Sequence, residues 1–341
     1  MKQARVLFSG PLGAFILVIV LMSLAMIVAG ASPVDGFYAL IHGTLGGWPE
    51  VAETLTQTTF LLLPALGICL AFRAGLFNIG AEGQLLIGGL LAGAIGAHLF
   101  APAIVAIPIV LIASMIGGGI WGGIAGWMKA RFGANEIIAT LMLNFVAMSL
   151  ANYLVGGPLK SPLATGAETA PLHPNTWLPI LLPGTRLSIA LLVALAIAVV
   201  LQFVFTRTVF GYEVRAIGEA PEAARRNKVN IKRLTWLSLA VSGAIAGLGG
   251  GTIVTGELHR FNTELSPGYG FTAIAVALVA DLNPLWVCVS AFGFGILEAG
   301  APALQLKANV PKDAIHVIEG LIILVLAARR YISTRKEAAP I

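Results

Sequence analysis

Asn78, Glu82 and Gln84 fall within seven positions of one another in the stretch FNIGAEGQ, residues 77–84, and the residues around them are nearly all Leu, Ile, Ala and Gly. A charge at bilayer depth costs at least about 2.5 kcal/mol, so these side chains need a role that offsets that cost. Two roles are open. Asn78 suits the N-cap of a helix that restarts there, with Glu82 in its first turn, where the helix dipole favours a carboxylate. Alternatively, Gly80 and Gly83 leave space beside the chain. Asn78, Glu82 and Gln84 then offer donors and acceptors to a polar solute, and Phe77 offers an aromatic face for packing.

A second polar group has helical spacing. Glu136, Thr140 and Asn144 stand at i, i+4 and i+8, and Met148 and Asn152 extend the row. A polar stripe on an apolar helix should face protein or water rather than lipid. It serves either interhelical hydrogen bonding, worth about 0.6 kcal/mol per pair, or the lining of a pathway. Thr140 and Asn144 are the stronger pathway candidates, because Glu136 follows Asn135 at a basic edge and suits a first-turn acid. A third group, Asp313, His316 and Glu319, together with Glu298, is what a proton-coupled carrier would need. Its three clustered members drift around the helix, which favours a wet helix end instead.

Covalent chemistry has little support. The sequence has no H-E-x-x-H, no G-x-S-x-G and no G-x-x-x-x-G-K-[ST] phosphate loop. His42, His98, His173, His259 and His316 show no metal-ligand spacing. No metal site and no cofactor are expected on this chain. Cys69 and Cys288 lie in apolar runs and read as small buried hydrophobes.

The elements that position these residues follow from composition. The 341 residues are 57% hydrophobic and 11% charged, with mean hydropathy +0.90, against about 25% charged in soluble domains. Such a chain cannot cover a globular surface with polar groups, so its solvent is mostly lipid. The net charge of +5 fits cytoplasmic loops. Basic patches interleaved with aromatics are absent, so no nucleic-acid partner is expected.

Spanning helices need about 20 apolar residues. Ten segments qualify, near 10–30, 54–73, 78–98, 103–128, 135–155, 187–206, 236–255, 270–281, 285–300 and 314–328. The eighth and ninth are short and read as a tilted pair, half-helices or a re-entrant hairpin. With ten spans, sixteen of the 21 Lys and Arg residues fall on one side, including Arg73, Lys129, Arg131 and both chain ends. The fold class expected is therefore an all-α integral membrane bundle of about ten transmembrane helices, with both termini cytoplasmic. The opening MKQAR, its apolar run and VAGAS also have signal-peptide features, although the run of about 19 residues is long for that role. The outer loops 31–53 and 156–186 are too short for domains, so residues 1–341 read as one membrane domain. Its 40 glycines mostly suit close helix packing.

The loop 206–236, TRTVFGYEVRAIGEAPEAARRNKVNIKRLTW, is densely charged. Pro221 and Glu222 suit the first turn of a short helix. That helix is either a connector held to anionic lipid by its basic residues or a docking element for a cytoplasmic partner. Its core resembles the coupling loop of ABC-importer permeases of the branched-chain amino acid, simple sugar and nucleoside class. The resemblance rests on Gly211, Arg215, Ala216, Gly218, Ala223, Ala224 and Arg225, and on Val241–Gly247 downstream. One departure is Lys228–Val229, where the family usually has Gly-Ile; Lys at a positive-φ turn is costly.

FRAGLFNIGAEGQLLIGG and GANEIIATLMLNFVA narrow the resemblance to nucleoside-type permeases, over about residues 55–328. The resemblance implies a heteromeric importer of a bacterial-type plasma membrane working by alternating access. A second homologous permease would complete the pathway, an ATP-binding cassette subunit would hold ATP and Mg, and an extracytoplasmic substrate-binding protein would deliver a nucleoside or similar solute. In that reading the polar residues singled out above, with Phe77, become the expected substrate contacts: Phe77, Asn78, Glu82, Gln84, Thr140 and Asn144. The 207–235 loop would contact the ATPase through Gly218, Glu222, Ala223, Ala224, Arg225 and Arg226. The alternatives are a proton-coupled secondary carrier using Glu82, Glu136, Glu298 or Glu319 and, further behind, a membrane enzyme acting on lipid.

Overall fold

Long apolar runs bounded by caps, glycines and prolines make this chain helical. The computed structural model describes residues 30–162 and 166–308, together with Ile19, Val20, Ser23, Leu24, Met26, Ile27, Val317 and Gly320. Its helices are α1 (Pro33–Leu45), α2 (Trp48–Arg73), α3 (Ala81–Gly96), α4 (Ala103–Phe132), α5 (Glu136–Gly156) and α6 (Ala190–Arg207). They continue with α7 (Val209–Glu219), α8 (Pro221–Arg226), α9 (Ile231–Ile253), α10 (Tyr269–Val279) and α11 (Pro284–Ala308). A π-helical turn, Val254–Leu258, extends α9. Among the described residues β pairing is limited to two isolated bridges, Glu168–Asn262 and Ile180–Ser188.

Local chemistry sets the ends. Ser32 caps α1 through the Asp35 N–H, with Pro33 at the first helical position. Asn135 caps α5 through the Ile137 N–H at 2.9 Å. α4 stops at Gly133, whose φ of 71° returns its N–H to the Lys129 carbonyl.

Among the described residues six helices are long and apolar enough to cross a membrane: α2, α4, α5, α6, α9 with its π turn, and α11. The helix α3 is about 24 Å long and α10 about 16 Å at 1.5 Å per residue, short of a hydrocarbon core of about 30 Å. Eight of the ten expected segments thus coincide with helices. The first and tenth segments, the two chain ends and the group Asp313, His316 and Glu319 lie mostly or wholly outside the described residues. The ninth segment is longer than expected, because Pro302 is accommodated inside α11. The eighth is a half-helix. In the outer loop 31–53 the chain forms α1, which lays Leu40 against Gly300 and Gly43 against Ala303 of α11.

Burial separates centre from periphery. The apolar windows of α2 and α9 are 89% and 78% buried, whereas those of α4, α5 and α6 are 28% buried. The peripheral helices turn side chains such as Ile120, Phe145 and Phe203 outward. Exposed apolar area on this scale belongs against lipid or partner subunits.

The largest interface joins α4 to α9. Both helices present glycines four residues apart, Gly118 and Gly122 against Gly243 and Gly247. A Cβ on Gly118 would collide with the Gly243 carbonyl and stand 2.7 Å from the Gly247 Cα. The backbones touch because no side chain separates them, which is how helices gain packing energy where lipid removes the hydrophobic drive. Gly247→Leu is therefore expected to cost about 1–3 kcal/mol or more through overpacking. Thermal unfolding in detergent checks this, with Gly293→Leu as the control, since a Cβ there meets nothing within 4 Å.

Candidate functional site

The chain is broken in two places, and the breaks meet. α2 ends at Arg73, Gly75 takes φ 71°, and residues 74–80 run without helix to α3. Residues 259–268 likewise lead without regular helix to α10. The N-termini of α3 and α10 touch: a Cβ on Gly270 would lie 2.5 Å from the Glu82 Cα. Where this backbone is buried, at Asn78, Gly80 and Gly270, it is shielded from water and must find partners within the protein.

The sequence-selected polar residues supply them. Thr140 accepts the Ile79 N–H at 3.2 Å. Asn144 donates to the Ile79 carbonyl at 2.9 Å and accepts the Gly83 N–H at 2.9 Å. Asn78 accepts the Gly80 N–H at 2.9 Å and donates to Gln84 Oε1 at 2.9 Å and Ser242 Oγ at 2.8 Å. Gln84 returns a bond to Asn78 at 3.1 Å. Exposure of Asn78, Gln84, Thr140 and Asn144 is 0%, 1%, 1% and 6%, so the network is closed. Thr140 and Asn144 lie four and eight residues from the start of α5, which puts the network about 6–12 Å inside its basic end.

Glu82 is 5% exposed. Its Oε2 accepts the Gly270 N–H at 2.7 Å, and the Ser266 hydroxyl also reaches the carboxylate. The group stands in the first turn of α3 and against the first turn of α10, so two helix dipoles favour the anion.

Two details depart from expectation. Asn78 is not the N-cap of α3: Gly80 is, and Asn78 instead forms a turn onto the Gly80 N–H. The stripe on α5 does not hold its face. Glu136, paired with Lys129, is buried with Thr140 and Asn144, but Met148 and Asn152 are exposed. Each four-residue step rotates about 40° beyond a full turn, so the row leaves the interface after two steps. Phe77 is 50% exposed and tilts against Phe72 with ring centroids 5.0 Å apart.

The structure also assembles polar residues that the spacing did not single out. The Tyr269 hydroxyl donates to Gln57 Oε1 at 2.9 Å, and Gln57 donates to Glu53 Oε1 at 2.9 Å. Phe60 packs beside the Tyr269 ring at 5.6 Å. The fields of Glu298, Glu257, Glu53 and Glu82 all reach Tyr269. Glu257 sits on the π turn, with one oxygen on Arg186 at 3.1 Å and the other buried without a hydrogen-bond partner among the described residues. The i, i+4 pair Glu53–Gln57 is a usable signal, but an apolar span beginning at residue 54 leaves Glu53 just outside it.

The basic loop forms two helices rather than one. Thr208 caps α7 through the Gly211 N–H at 3.1 Å, and Pro221 opens α8. A Cβ on Gly218 would collide with the Arg73 carbonyl and stand 2.9 Å from the Gly75 N, so α7 rests on the end of α2 backbone to backbone. Lys228 adopts φ 59°, the turn for which glycine is the usual choice. The Val229 N–H reaches the Ala224 carbonyl at 3.1 Å, closing α8. The turn is therefore made in spite of its Lys, at a cost of about 1–3 kcal/mol. Glu222, Ala223, Arg225 and Arg226 are exposed, Gly218 is half-buried and Ala224 is buried. α7 and α8 enclose a cavity of about 330 Å³ lined by Tyr212, Arg215, Glu219, Ala223 and Asn227. Within this loop the Arg215 Nε is buried without a partner among the described residues.

Residues 50–327 match the family model described as branched-chain amino acid transport system / permease component. The chain is 35% identical to the guanosine ABC transporter permease protein NupP of Bacillus subtilis, covering 93% of this chain and 92% of that protein. It is 31% identical to the nucleoside ABC transporter permease protein NupB of Lactococcus lactis, covering 94% and 90%. It is 33% identical to the glucose ABC transporter permease protein TsgB13 of Haloferax volcanii, covering 90% and 83%. No solved structure gives a significant match. A family match over most of the chain, joined to relatives of this identity and coverage, places the protein in the branched-chain amino acid transport system permease component family.

Proposed function

We propose that this chain forms half of the membrane pathway of an ATP-driven importer for nucleosides, in a bacterial-type plasma membrane with its basic end facing the cytoplasm. As a permease subunit it is a transport component and not an enzyme. The names of NupP and NupB support a nucleoside, and that of TsgB13 supports a hexose; a hydroxyl-rich ring is common to both. The partners in this reading are an ATP-binding cassette subunit carrying ATP and Mg, a second homologous permease, and an extracytoplasmic substrate-binding protein.

One observation carries the mechanism. The exposed helix α8 continues through α7 to Gly218, Gly218 abuts Gly75, and Gly75 begins the segment that ends at the Glu82–Gly270 junction. A displacement of α7 and α8 by the ATPase therefore reaches the place where two half-helices meet. The closed network of Asn78, Gln84, Thr140 and Asn144 is the stiff wall of that junction. Phe77, with its open ring, and the Glu53–Gln57–Tyr269 row supply stacking and hydrogen bonds to the solute. Family membership supports this reading over the proton-coupled carrier.

The tagged chain is expected to co-purify from native membranes with an active ATPase, and uptake of labelled nucleoside is expected to survive an uncoupler; a chain that elutes alone and transports only with a proton gradient would reverse the assignment. Reversing charge in Arg225→Glu with Arg226→Glu should lower recovery of the ATPase roughly tenfold, with an unchanged unfolding temperature. Normal co-purification of that variant would remove the docking role. Glu82→Gln keeps an acceptor but loses the charge-assisted bond, worth about 1.5–3 kcal/mol. It should cut uptake about tenfold or more while the complex still assembles; wild-type uptake would leave Glu82 with a capping role alone.

A further inference from the structure

We propose that the outer groove between α4 and α9 binds one anionic phospholipid. The groove is open along its length and has a volume of about 700 Å³. Ile112, Ile116 and Ile120 of α4 form one wall, and Ala240 and Ala244 lie along α9. From Ile112 to Trp127 it runs about 22 Å at 1.5 Å per residue, a length suited to an extended acyl chain.

Its chemistry changes at one end. Trp127 and Trp236 flank the groove there, 53% and 43% exposed. The indole N–H of Trp236 has no hydrogen-bond partner among the described residues, and its Nε1 would lie 3.4 Å from a Cβ placed on Gly123 at the groove floor. Indoles with an apolar body and a free donor belong at the level of lipid esters and headgroups.

Charge completes the match. Arg131 stands four residues beyond Trp127, and Lys232 four residues before Trp236. Each lies on the same helix face as its tryptophan, one turn further toward the basic end. Both cations are exposed. The nearby Glu136 is paired with Lys129 and does not neutralise them. The groove thus offers an apolar channel, two indoles and two cations in the order in which a phospholipid presents its acyl chain, esters and phosphate. A helix of a second permease seated here would have to cover both cations, and the apolar channel gives it no reason to bring a carboxylate.

The test uses the full chain purified with its associated subunits in mild detergent. Phosphatidylglycerol or phosphatidylethanolamine is titrated in, and native mass spectrometry counts bound lipid per permease. Phosphatidylglycerol should be retained preferentially. Arg131→Gln with Lys232→Gln should weaken it roughly thirtyfold, about fivefold for each basic residue, and leave phosphatidylethanolamine unchanged. Ala244→Leu, which fills the channel, should weaken phosphatidylglycerol as well. Equal binding of the two lipids, or phosphatidylglycerol retention unmoved by the charge variant, overturns the proposal. So does an Ala244→Leu chain that sheds a partner subunit while keeping its lipid, since the groove would then be a protein interface. The charge variant alters two exposed side chains outside the packed core, so the result stands even if Ala244→Leu does not fold.

Discussion

A peptide group buried away from water must be paired, and in a lipid-solvated protein nothing outside the chain can do it. Around Asn78–Gly80, and at Gly270 where α10 begins, buried backbone lies outside a helical ladder, so its amides and carbonyls need protein partners. Thr140 and Asn144 of α5 hold Ile79 and Gly83, Asn78 holds Gly80 and is itself held by Gln84 and Ser242, and Glu82 holds Gly270. Without those side chains α3 and α10 could not start where they do. The two half-helices, their meeting N-termini and the buried carboxylate between them all follow from that one requirement.

The same junction explains why the sequence tolerates an acid there. Two helix N-termini supply a positive field, and the bond from the Gly270 N–H supplies a donor, so part of the cost of burying Glu82 is recovered locally. The glycine contact between α7 and the end of α2 ties this junction to the exposed α8. Mechanical continuity through Gly218 and Gly75 is thereby built from backbone, with no side chain to absorb motion.

Much of this was legible in the sequence. Apolar run length placed eight helices, and the motifs at 77–84, 135–144 and 211–225 carried the family. The first and second motifs were marked as polar residues in need of partners, but their partners were not legible. A period assigns Thr140 and Asn144 to one face; only packing shows that the face meets the backbone of Ile79. The Gln57–Tyr269 bond joins residues 212 positions apart, a distance no pattern spans. Met148 and Asn152 were placed on the stripe because a four-residue repeat looks straight over two turns, yet it drifts over four. Lys228 was expected to disturb the turn for which glycine is usual; the closing bond from Val229 and the Asn230 cap on α9 hold it in place regardless.

The most direct measurement places ATP hydrolysis and nucleoside uptake side by side for Gly218→Ala in the reconstituted transporter. A single methyl there meets first the backbone of Arg73, Ala74 and Gly75, so it wedges α7 from α2. The expected result is a complex that assembles and hydrolyses ATP while uptake falls about tenfold or more. Uptake and hydrolysis that both remain at the level of the unaltered protein would contradict transmission through this contact.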